Sequence, residues 1–570
     1  MIFGRTRFIA LLCAALALST SLSLAQSEKK KNKKASQLAA TTAAVKVARP
    51  RLVVSIVIDQ FRHDYLQRFG DQFGEGGFKR FLNQGAVFAN ANYIHAPTVT
   101  ACGHATVLSG APPALTGIIG NEWYDRELGK NVTSVSDDKK AFQSLGGDPA
   151  KKAAAPHKLL GTTLGDEMRL ATQGQAKVIG LSYKDRSAIL PVGKRPQAAY
   201  WFDDDTGNFI SSTYYFPALP AWVTKFNQEQ SPNRYFGKTW DRLLPAAAYA
   251  RSTADDAPYE KKIAYGSTFP YTITAGETQP GKKFYDYFEA TPFANEHLVA
   301  LAKAAIENEA LGADDVTDLL SVSFSANDLL GHAYGPYSQE VQDMTLRTDR
   351  ALAGFLGYLD QRIGLANVIV TLTSDHGVAP VPEQVMEFGY GGRLVAKDVT
   401  TAVTSALNAK YGEAAWVKAF TSYNVFLDLA SIETRKLDIA EVEATAAAAV
   451  APLPGINACF TRTQLMHGDV PNNHVTRAVT QGFYAPRNGN LIVVLQPFFM
   501  FTEGPTNTTH GSPYSYDTHV PVLFLGAGIK AGTYHSASSP VDIAPTLAAM
   551  LNLQAPSNSI GRVLQEALNP

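Results

Sequence analysis

The run Leu52-Val53-Val54-Ser55-Ile56-Val57-Ile58 decides how this chain folds. It is continuous, largely β-branched, and ends at a polar residue, Asp59. Strands covered by helices on both faces lose the polar–apolar alternation of half-exposed strands, so this run predicts a central strand of a parallel sheet. A helical pattern follows at 78–84, and Gly85 marks its end.

The same order, an apolar run followed by polar residues, recurs along the chain. The further runs lie at 177–182, 319–324, 368–373 and 521–526. Helical patterns such as 296–309 and 339–363 separate them. This alternation predicts an α/β fold with a doubly wound, mostly parallel sheet flanked by helices. In such folds ligands bind beyond the C-terminal ends of the strands.

Two long intervals interrupt this alternation. The interval near 194–292 is rich in aromatic residues, Gly and Pro, and the interval near 392–497 has its own helix and strand patterns. We predict that both are inserted cap segments over the C-terminal strand edge of one catalytic domain, residues 51–570. No internal repeat is visible.

The first fifty residues carry targeting features. Arg5 and Arg7 precede an apolar run at 8–24, and small residues stand at 23–25. This pattern predicts a signal peptide over 1–25, cleaved before Gln26, and export to the periplasm or the medium. Residues 26–50 are rich in Lys, Ala and Thr and predict a flexible linker. No later run is long and apolar enough to span a membrane.

Composition narrows the possible partners and leaves one covalent question open. Apolar residues make up 45% of 570, so a large core is available. The 51 basic and 51 acidic residues balance, and nucleic acid is not expected as a specific partner. After signal cleavage two cysteines remain, Cys102 and Cys459, and the sequence leaves open whether they pair.

Side chains of the metal-ligand type lie at the strand–loop junctions of four of the predicted strands. They are Asp59, Asp328, His332, Asp375, His376 and His519. Any one of them alone is more often a helix cap or a surface residue. Together, three buried aspartates without cations would be costly, and carboxylate with imidazole is a ligand set that zinc takes. Asp328 and His332, four apart, would share one helical face. The pattern predicts a site for two zinc ions.

His510 competes with His519 for a place in that site. We predict His519 because it directly precedes the strand that starts at Pro521. A third acidic cluster, Asp203 to Asp205, has a spacing that matches no calcium loop we recognise, and a solvated turn is the preferred interpretation. An additional structural ion such as calcium is therefore not supported by a clear motif.

Thr100 stands where an extended, Pro-containing run meets a helical pattern at 105–108. The unpaired amides and the dipole of a helix N-terminus favour an anion there. The Thr100 hydroxyl is then either a helix cap or a nucleophile beside a phosphate. The ligand-type residues at the neighbouring strand ends favour the nucleophile.

Lys184 and Arg186 are two apart after the run at 177–182, and an extended backbone would place both on one face. In isolation the pair could equally be a solvated charged turn. With an amide such as Asn121, the two cations would suit a dianionic phosphate, to which Arg offers a bidentate fork.

Together these motifs resemble those of a known family. The segments that carry the resemblance are 58–62, 97–100, 103–105, Asn121, 184–186, 327–332, 374–377 and 517–521. In order and content they resemble the alkaline phosphatase superfamily and, within it, the exported bacterial PafA/PhoK-type enzymes with a threonine nucleophile, related to nucleotide pyrophosphatase/phosphodiesterases. Each segment is weakly specific alone, whereas the ordered set covers nearly all of the chain after the signal.

The resemblance implies a role for each position. Thr100 would be the nucleophile and, with Asp59, Asp375 and His376, a ligand of one zinc; Asp328, His332 and His519 would hold the second; Asn121, Lys184 and Arg186 would bind phosphate; and His104 would be structural. The implied activity is hydrolysis of small phosphate monoesters through a phosphothreonine, with release of inorganic phosphate.

The same residues favour or oppose other functions of this scaffold. Phosphodiesterase or nucleotide pyrophosphatase activity is the nearest alternative, and the two cations favour monoesters because a diester has one fewer charged oxygen. A sulfatase is opposed by Gly103 and His104 after Cys102, and a cytosolic phosphoglycerate mutase by the predicted signal peptide. A catalytically inactive envelope binding protein would have lost a ligand residue, and every expected position is filled.

Overall fold

The computed structural model describes residues 49–148, 151, 153–260, 266–502 and 507–569. The predicted signal peptide, 1–25, and nearly all of the predicted linker, 26–50, lie outside these residues. One compact unit extends from Pro50 to the C-terminus. No helix in the described ranges is both long and apolar enough to cross a membrane.

The strands in chain order are β1 Leu52–Ile58, β2 Ala86–Phe88, β3 Glu122–Asp125, β4 Lys130–Thr133, β5 Ser144–Leu145, β6 Val178–Ser182, β7 Ala198–Asp203, β8 Asn208–Ser212, β9 Thr239–Trp240, β10 Tyr271–Thr272, β11 Asp318–Phe324, β12 Val368–Thr373, β13 Gly392–Leu394, β14 Val417–Thr421, β15 Asn424–Leu427, β16 Ile456–Thr461, β17 Leu491–Leu495, β18 Phe499–Phe501, β19 Val522–Gly526 and β20 Gly532–Tyr534.

The α-helices are α1 Tyr65–Arg68, α2 Phe78–Gln84, α3 Thr100–Ser109, α4 Pro113–Thr116, α5 Leu164–Ala171, α6 Asp185–Ile189, α7 Ala221–Glu229, α8 Lys282–Phe288, α9 Pro292–Asn308, α10 Ala326–Tyr334, α11 Gln339–Arg362, α12 Pro382–Met386, α13 Ala396–Tyr411, α14 Leu429–Thr434, α15 Ile439–Val450, α16 Arg462–His467, α17 His474–Gly482, α18 Ser515–Thr518 and α19 Ile543–Met550.

A ten-stranded sheet forms the centre, in the order β20-β2-β19-β12-β1-β11-β6-β7-β8-β5. Its middle strands, from β12 to β7, are parallel, whereas β19 pairs antiparallel with β12, and β8 with β7. The predicted α/β fold with a mostly parallel sheet flanked by helices is confirmed.

The alternating residues of β1 explain why its sequence is apolar throughout. Val54 and Ile56 pack into the hydrophobic cluster on one side of the sheet, and Val53 and Val57 into the cluster on the other. Successive side chains of a strand point to opposite faces, so a sheet covered on both faces needs apolar residues at nearly every position. The strand is therefore held at the centre of the domain.

The interval 194–292 differs from the predicted cap in its first part. Residues 198–203 and 208–212 form β7 and β8, which extend the central sheet rather than cover it. The remainder contains short helices and one two-stranded ribbon of β9 and β10. The aromatic residues that suggested a separate segment, such as Tyr200 and Phe209, pack into the main core instead.

The interval 392–497 forms a layer of its own. Strands β14, β15, β17 and β16 pair antiparallel in that order as a second sheet, with α13 and α15 among its helices. Its apolar side chains, among them Val403, Trp416 and Val442, form a separate hydrophobic cluster. That this layer caps the strand edge stays a prediction.

Candidate active site and metal centre

Several of the candidate metal-ligand and phosphate-binding residues follow neighbouring strands of the central sheet. β12, β1, β11 and β6 lie side by side and run parallel, so their carboxyl ends meet at one edge. Asp59 follows β1, Asp375 and His376 follow β12, and Lys184 follows β6. α10 begins just after β11 and carries Asp328. This edge of the sheet therefore gathers the acidic and basic side chains.

Thr100 is the first residue of α3, and the extended residue Val99 before it is the cap position. No side-chain hydrogen bond caps this helix, so Thr100 does not serve as the N-cap. Its side chain is buried, and its Oγ1 lies 3.5 Å from Nε2 of His376. The hydroxyl thus faces the cluster of ligand-type residues rather than the amides of its own helix.

A close approach between α3 and the end of β12 holds Thr100 in place. A β-carbon at Gly103 would lie only 2.2 Å from the carbonyl oxygen of Asp375, so glycine is required there. His104 donates from Nδ1 to the carbonyl of Thr100 (2.9 Å), and its Nε2 lies 2.7 Å from the Ser323 hydroxyl. These contacts are consistent with the structural role that the resemblance implies for His104.

One group of possible metal ligands consists of Asp59, Asp375 and His376, all buried, with ligand atoms within 4.8 Å of one another. Nε2 of His376 lies 3.4 Å from Oδ1 of Asp59 and 3.3 Å from Oδ2 of Asp375. Burial lowers the pKa of His376 to about 3, so its ring is in the neutral form that binds a metal.

The second group consists of Asp328, His376 and His510, within the same limit of distance. Nε2 of His510 lies 3.5 Å, and Nε2 of His332 3.2 Å, from Oδ1 of Asp328. The rings of His376 and His510 stack with centroids 3.5 Å apart. Because His376 belongs to both groups, the two positions are adjacent.

Three histidines of this cluster are oriented in the same way. Nδ1 of each approaches a main-chain carbonyl oxygen: His332 that of Thr508 (2.7 Å), His376 that of Gly377 (2.9 Å), and His510 that of Thr98 (2.8 Å). Such a bond fixes the tautomer and leaves Nε2 as the ligand atom. The Nε2 atoms then face the carboxylates.

The contacts of His519 differ from those expected of a metal ligand. Its Nε2 lies 3.0 Å from the carbonyl oxygen of Ala89, and its ring stacks on His63 with centroids 4.4 Å apart. It belongs to neither group of ligand atoms among the described residues, whereas His510 belongs to one. His519 does precede β19 at this edge of the sheet, but proximity to the edge does not determine where the ring points. These contacts favour His510 over His519 as a member of the proposed metal site.

The charges of the cluster are unbalanced in a way that fits divalent cations. Burial, with the neighbouring charges of Asp328 and Asp375, raises the pKa of Asp59 well above its ordinary value. Oδ1 of Asp59 is buried and has no hydrogen-bond partner within the described ranges. Burial also opposes ionisation of Asp328, but His332 and Lys184 hold the pKa of Asp328 well below its ordinary value. Oxygen and imidazole donors of this kind are a set that zinc accepts.

Lys184 lies between the two groups. Its Nζ donates to Oδ2 of Asp59 (2.7 Å) and to Oδ2 of Asp328 (2.5 Å). The expectation of an extended backbone through 184–186 is wrong, because α6 begins at Asp185 and Lys184 is its extended cap residue. Arg186 is therefore on the first turn of a helix. Its Nε is buried and has no hydrogen-bond partner in the part of the chain that the structure describes.

Asn121 lies beside the start of α3. Its Oδ1 accepts from the N–H of Ala101 at 2.8 Å, so the side-chain NH₂ points away from that amide. The N–H of Ala101 is thus already engaged by this side chain. The amide hydrogens of Asn121 are the donors that this arrangement leaves at the same place.

Sequence reasoning missed Gln60. It directly follows Asp59, is buried, and has a positive φ of 62°. Its main-chain N–H donates to Oδ1 of Asp375 (3.2 Å), and its side-chain Nε2 donates to Oδ1 of Asp328 (2.7 Å). Its position inside a motif next to a predicted ligand was the only signal in the sequence.

The acidic residues at 203–205 and the two cysteines lie outside the metal-ligand cluster. Asp203 to Asp205 form a further group of possible ligand atoms within 4.8 Å of one another, and Asp203 is buried. Nζ of Lys151 lies close to all three carboxylates, and that of Lys282 lies close to two. The interpretation of this group as a solvated turn without an ion stays a prediction. Cys102 and Cys459 are both free thiols, and Cys102 is buried.

Comparison with known proteins agrees with this geometry. The chain is 40% identical to alkaline phosphatase PhoV of Synechococcus elongatus over 526 residues, 92% of this chain and 94% of the relative. It is 36% identical to alkaline phosphatase PafA of Elizabethkingia meningoseptica over 525 residues, 92% and 95% of the two chains. The crystal structure of wild-type PafA superimposes with a TM-score of 0.87 at 36% identity, covering 91% of this chain and 99% of that one.

The family described as type I phosphodiesterase / nucleotide pyrophosphatase matches residues 53–519. The match begins in β1 and runs through every strand end that contributes to the cluster. The chain therefore belongs to the type I phosphodiesterase/nucleotide pyrophosphatase family of the alkaline phosphatase superfamily.

Proposed function

We propose that this chain is a zinc-dependent phosphate monoester hydrolase, an alkaline phosphatase, that releases inorganic phosphate from small substrates. The observation that carries the proposal is the pair of adjacent carboxylate–imidazole groups, joined at His376, that face the buried hydroxyl of Thr100. The names of the relatives PhoV and PafA support the same activity.

Two zinc ions fit the donor atoms of the cluster. Asp59, Asp375 and His376, with Thr100, would hold one ion, and the second would be held by Asp328, His332 and His510, with His510 in place of His519. Bound zinc supplies positive charge that lowers the pKa of a nearby hydroxyl or water and stabilises charge on the departing oxygen.

Thr100 supplies the nucleophile. Its Oγ1 loses its proton and attacks phosphorus in line, while the ester oxygen leaves with the bonding electrons and takes up a proton. The product of this step is a phosphothreonine at the N-terminus of α3, where the helix dipole favours the added negative charge. Water then attacks the same phosphorus and the bond between phosphorus and Oγ1 breaks. Oγ1 keeps the bonding electrons and takes up the proton that the water loses, which restores Thr100 and releases inorganic phosphate.

Lys184, Arg186 and Asn121 bind the phosphoryl oxygens. The ammonium of Lys184 contacts the cluster directly, and the charge of Arg186 acts on Lys184. Among the described residues Nε of Arg186 has no hydrogen-bond partner, and the side chain of Asn121 lies against the N–H of Ala101, next to Thr100. Preorganised donors stabilise the equatorial oxygens as charge develops on them. A monoester presents three such oxygens and a diester two, so two cations favour the monoester.

The decisive experiment compares an aryl phosphate monoester with the corresponding diester. We expect faster turnover of the monoester, loss of activity with chelator, recovery with zinc, and no covalent turnover in Thr100→Ala. If the chelated and the zinc-restored protein were equally inactive on both substrates, the hydrolase proposal would be rejected.

Phosphodiesterase or nucleotide pyrophosphatase activity is the second candidate, because the family that matches the chain is described by it. We expect Lys184→Ala with Arg186→Ala to reduce monoester turnover far more than diester turnover, since the cations match the charge of a monoester. Equal losses on the two substrates would refute the monoester assignment and favour this second candidate.

We also propose export, supported by the basic, apolar and small residues in order over 1–25. Expression in a bacterial host followed by N-terminal sequencing should give a mature chain that begins at Gln26. A chain that retains Met1 and stays in the cytoplasm would contradict this localisation.

A further inference from the structure

Gln60 adopts a backbone conformation that only its surroundings explain. Its φ of 62° is uncommon for a residue with a β-carbon, and its side chain is buried at 3% exposure. A left-handed conformation at a non-glycine residue is energetically unfavourable and persists where neighbouring residues determine it. One such neighbour is Gly331, where a β-carbon would lie 2.0 Å from Oε1 of Gln60.

This conformation directs two donors of one residue to two different metal-ligand groups. The main-chain N–H reaches Oδ1 of Asp375, in the first group, at 3.2 Å. The side-chain Nε2 reaches Oδ1 of Asp328, in the second group, at 2.7 Å. The next residue, Phe61, anchors the loop through its N–H to the Ser374 hydroxyl at 2.8 Å.

The bond to Asp328 is placed where it orients the carboxylate. Oδ1 of Asp328 also lies within 3.2 Å of His332 Nε2 and 3.5 Å of His510 Nε2, so Gln60 contacts the oxygen that faces both histidines. Partners of this kind fix the direction of a ligand's lone pairs, and their removal costs metal affinity.

We propose that Gln60 is a positioning residue that sets the orientation of Asp328 and so the affinity of the second metal ion, independently of the first. The inference rests on the proposed two-zinc site. Its two contacts are separable, because side-chain truncation removes the bond to Asp328 and keeps the main-chain bond to Asp375.

The test uses the full chain, loaded with zinc, with two substitutions at one position. Gln60→Ala removes the amide. Gln60→Asn keeps an amide but shortens its reach, and Asn tolerates the left-handed conformation better than most residues. Gln173→Asn is the matched control, since Gln173 has a φ of 53° and is exposed.

Zinc retained per chain is measured against increasing chelator, together with the melting temperature of the metal-free protein. In both Gln60 variants we expect one ion to be released at a chelator concentration about 10- to 100-fold lower than in wild type. The other ion should be released at the wild-type concentration. The melting temperature of the metal-free protein should stay close to that of Gln173→Asn.

Three results would overturn the inference. The first is an equal loss of affinity for both ions in the Gln60 variants together with a lower melting temperature, which would indicate a general structural role. The second is retention of both ions by the Gln60 variants at the same chelator concentrations as by wild type. The third is a wild-type protein that binds fewer than two zinc ions, which would reject the two-zinc proposal along with this one.

Discussion

The buried carboxyl groups of Glu340 and Glu260 should make the protein less stable as pH rises. Glu340 lies in the first turn of α11 and is fully buried. Its Oε1 accepts from the Tyr271 hydroxyl at 2.6 Å, and its Oε2 has no hydrogen-bond partner among the described residues. Burial raises the pKa of Glu340 from 4.5 to about 7. Burial and the charge of Glu340 raise the pKa of Glu260 to about 8.

The sign follows from proton binding in the two states. Between pH 4.5 and about 7 the unfolded chain has lost the proton of Glu340, whereas the folded chain retains it. Stability from this group is therefore complete below pH 4.5 and is lost as pH rises through about 7. At 1.36 kcal/mol for each pH unit, the loss is about 3 kcal/mol, as an order of magnitude.

Glu340→Gln removes this loss, because the amide does not ionise. Relative to wild type, the free energy of unfolding of the variant should rise by about 3 kcal/mol between about pH 5 and about pH 9. Any fixed cost of burying the amide is the same at each pH and cancels in the slope. Glu260→Gln should change the slope in the same direction.

The assay is unfolding of variant and wild type across this pH range at a constant free zinc concentration. Zinc binding also depends on pH, so the measured quantity is the difference between the two proteins. Glu127→Gln is the control, because Glu127 is exposed. A difference between Glu340→Gln and wild type that is constant with pH, or that falls as pH rises, would show that burial does not raise the pKa of Glu340.

Three further predictions concern the cluster and the thiols. His510→Ala should lose zinc on dialysis and His519→Ala should retain it, as measured by metal content; the reverse result would restore His519 as the ligand. Gly103→Ala should push α3 away from the end of β12, costing about 1–3 kcal/mol in stability and most of the activity, and unchanged turnover would show that the helix can shift without harm. Thiol titration of the unfolded, unreduced mature chain should find Cys102 and Cys459 both free, and a titre of zero would reveal a disulfide.

The amino-acid sequence by itself determined the fold class and most members of the cluster. The apolar run before Asp59 required a sheet buried on both faces, and burial of both faces is what the structure has. Because parallel strands end at one edge, a polar residue after each run could be assigned to that edge without knowing the strand order. Asp328 and Asp375 were found in this way.

Only the tertiary structure decided which way each side chain at that edge points. His510 and His519 are both close to the edge, but Nδ1 of His510 bonds to the carbonyl of Thr98 and Nε2 of His519 lies against that of Ala89. These partners are 412 and 430 positions away along the chain, beyond any local pattern. The same holds for Gln60, whose side-chain partner is 268 positions away. Local sequence places a residue at the edge of a sheet, and contacts with distant segments choose the atom that it presents there.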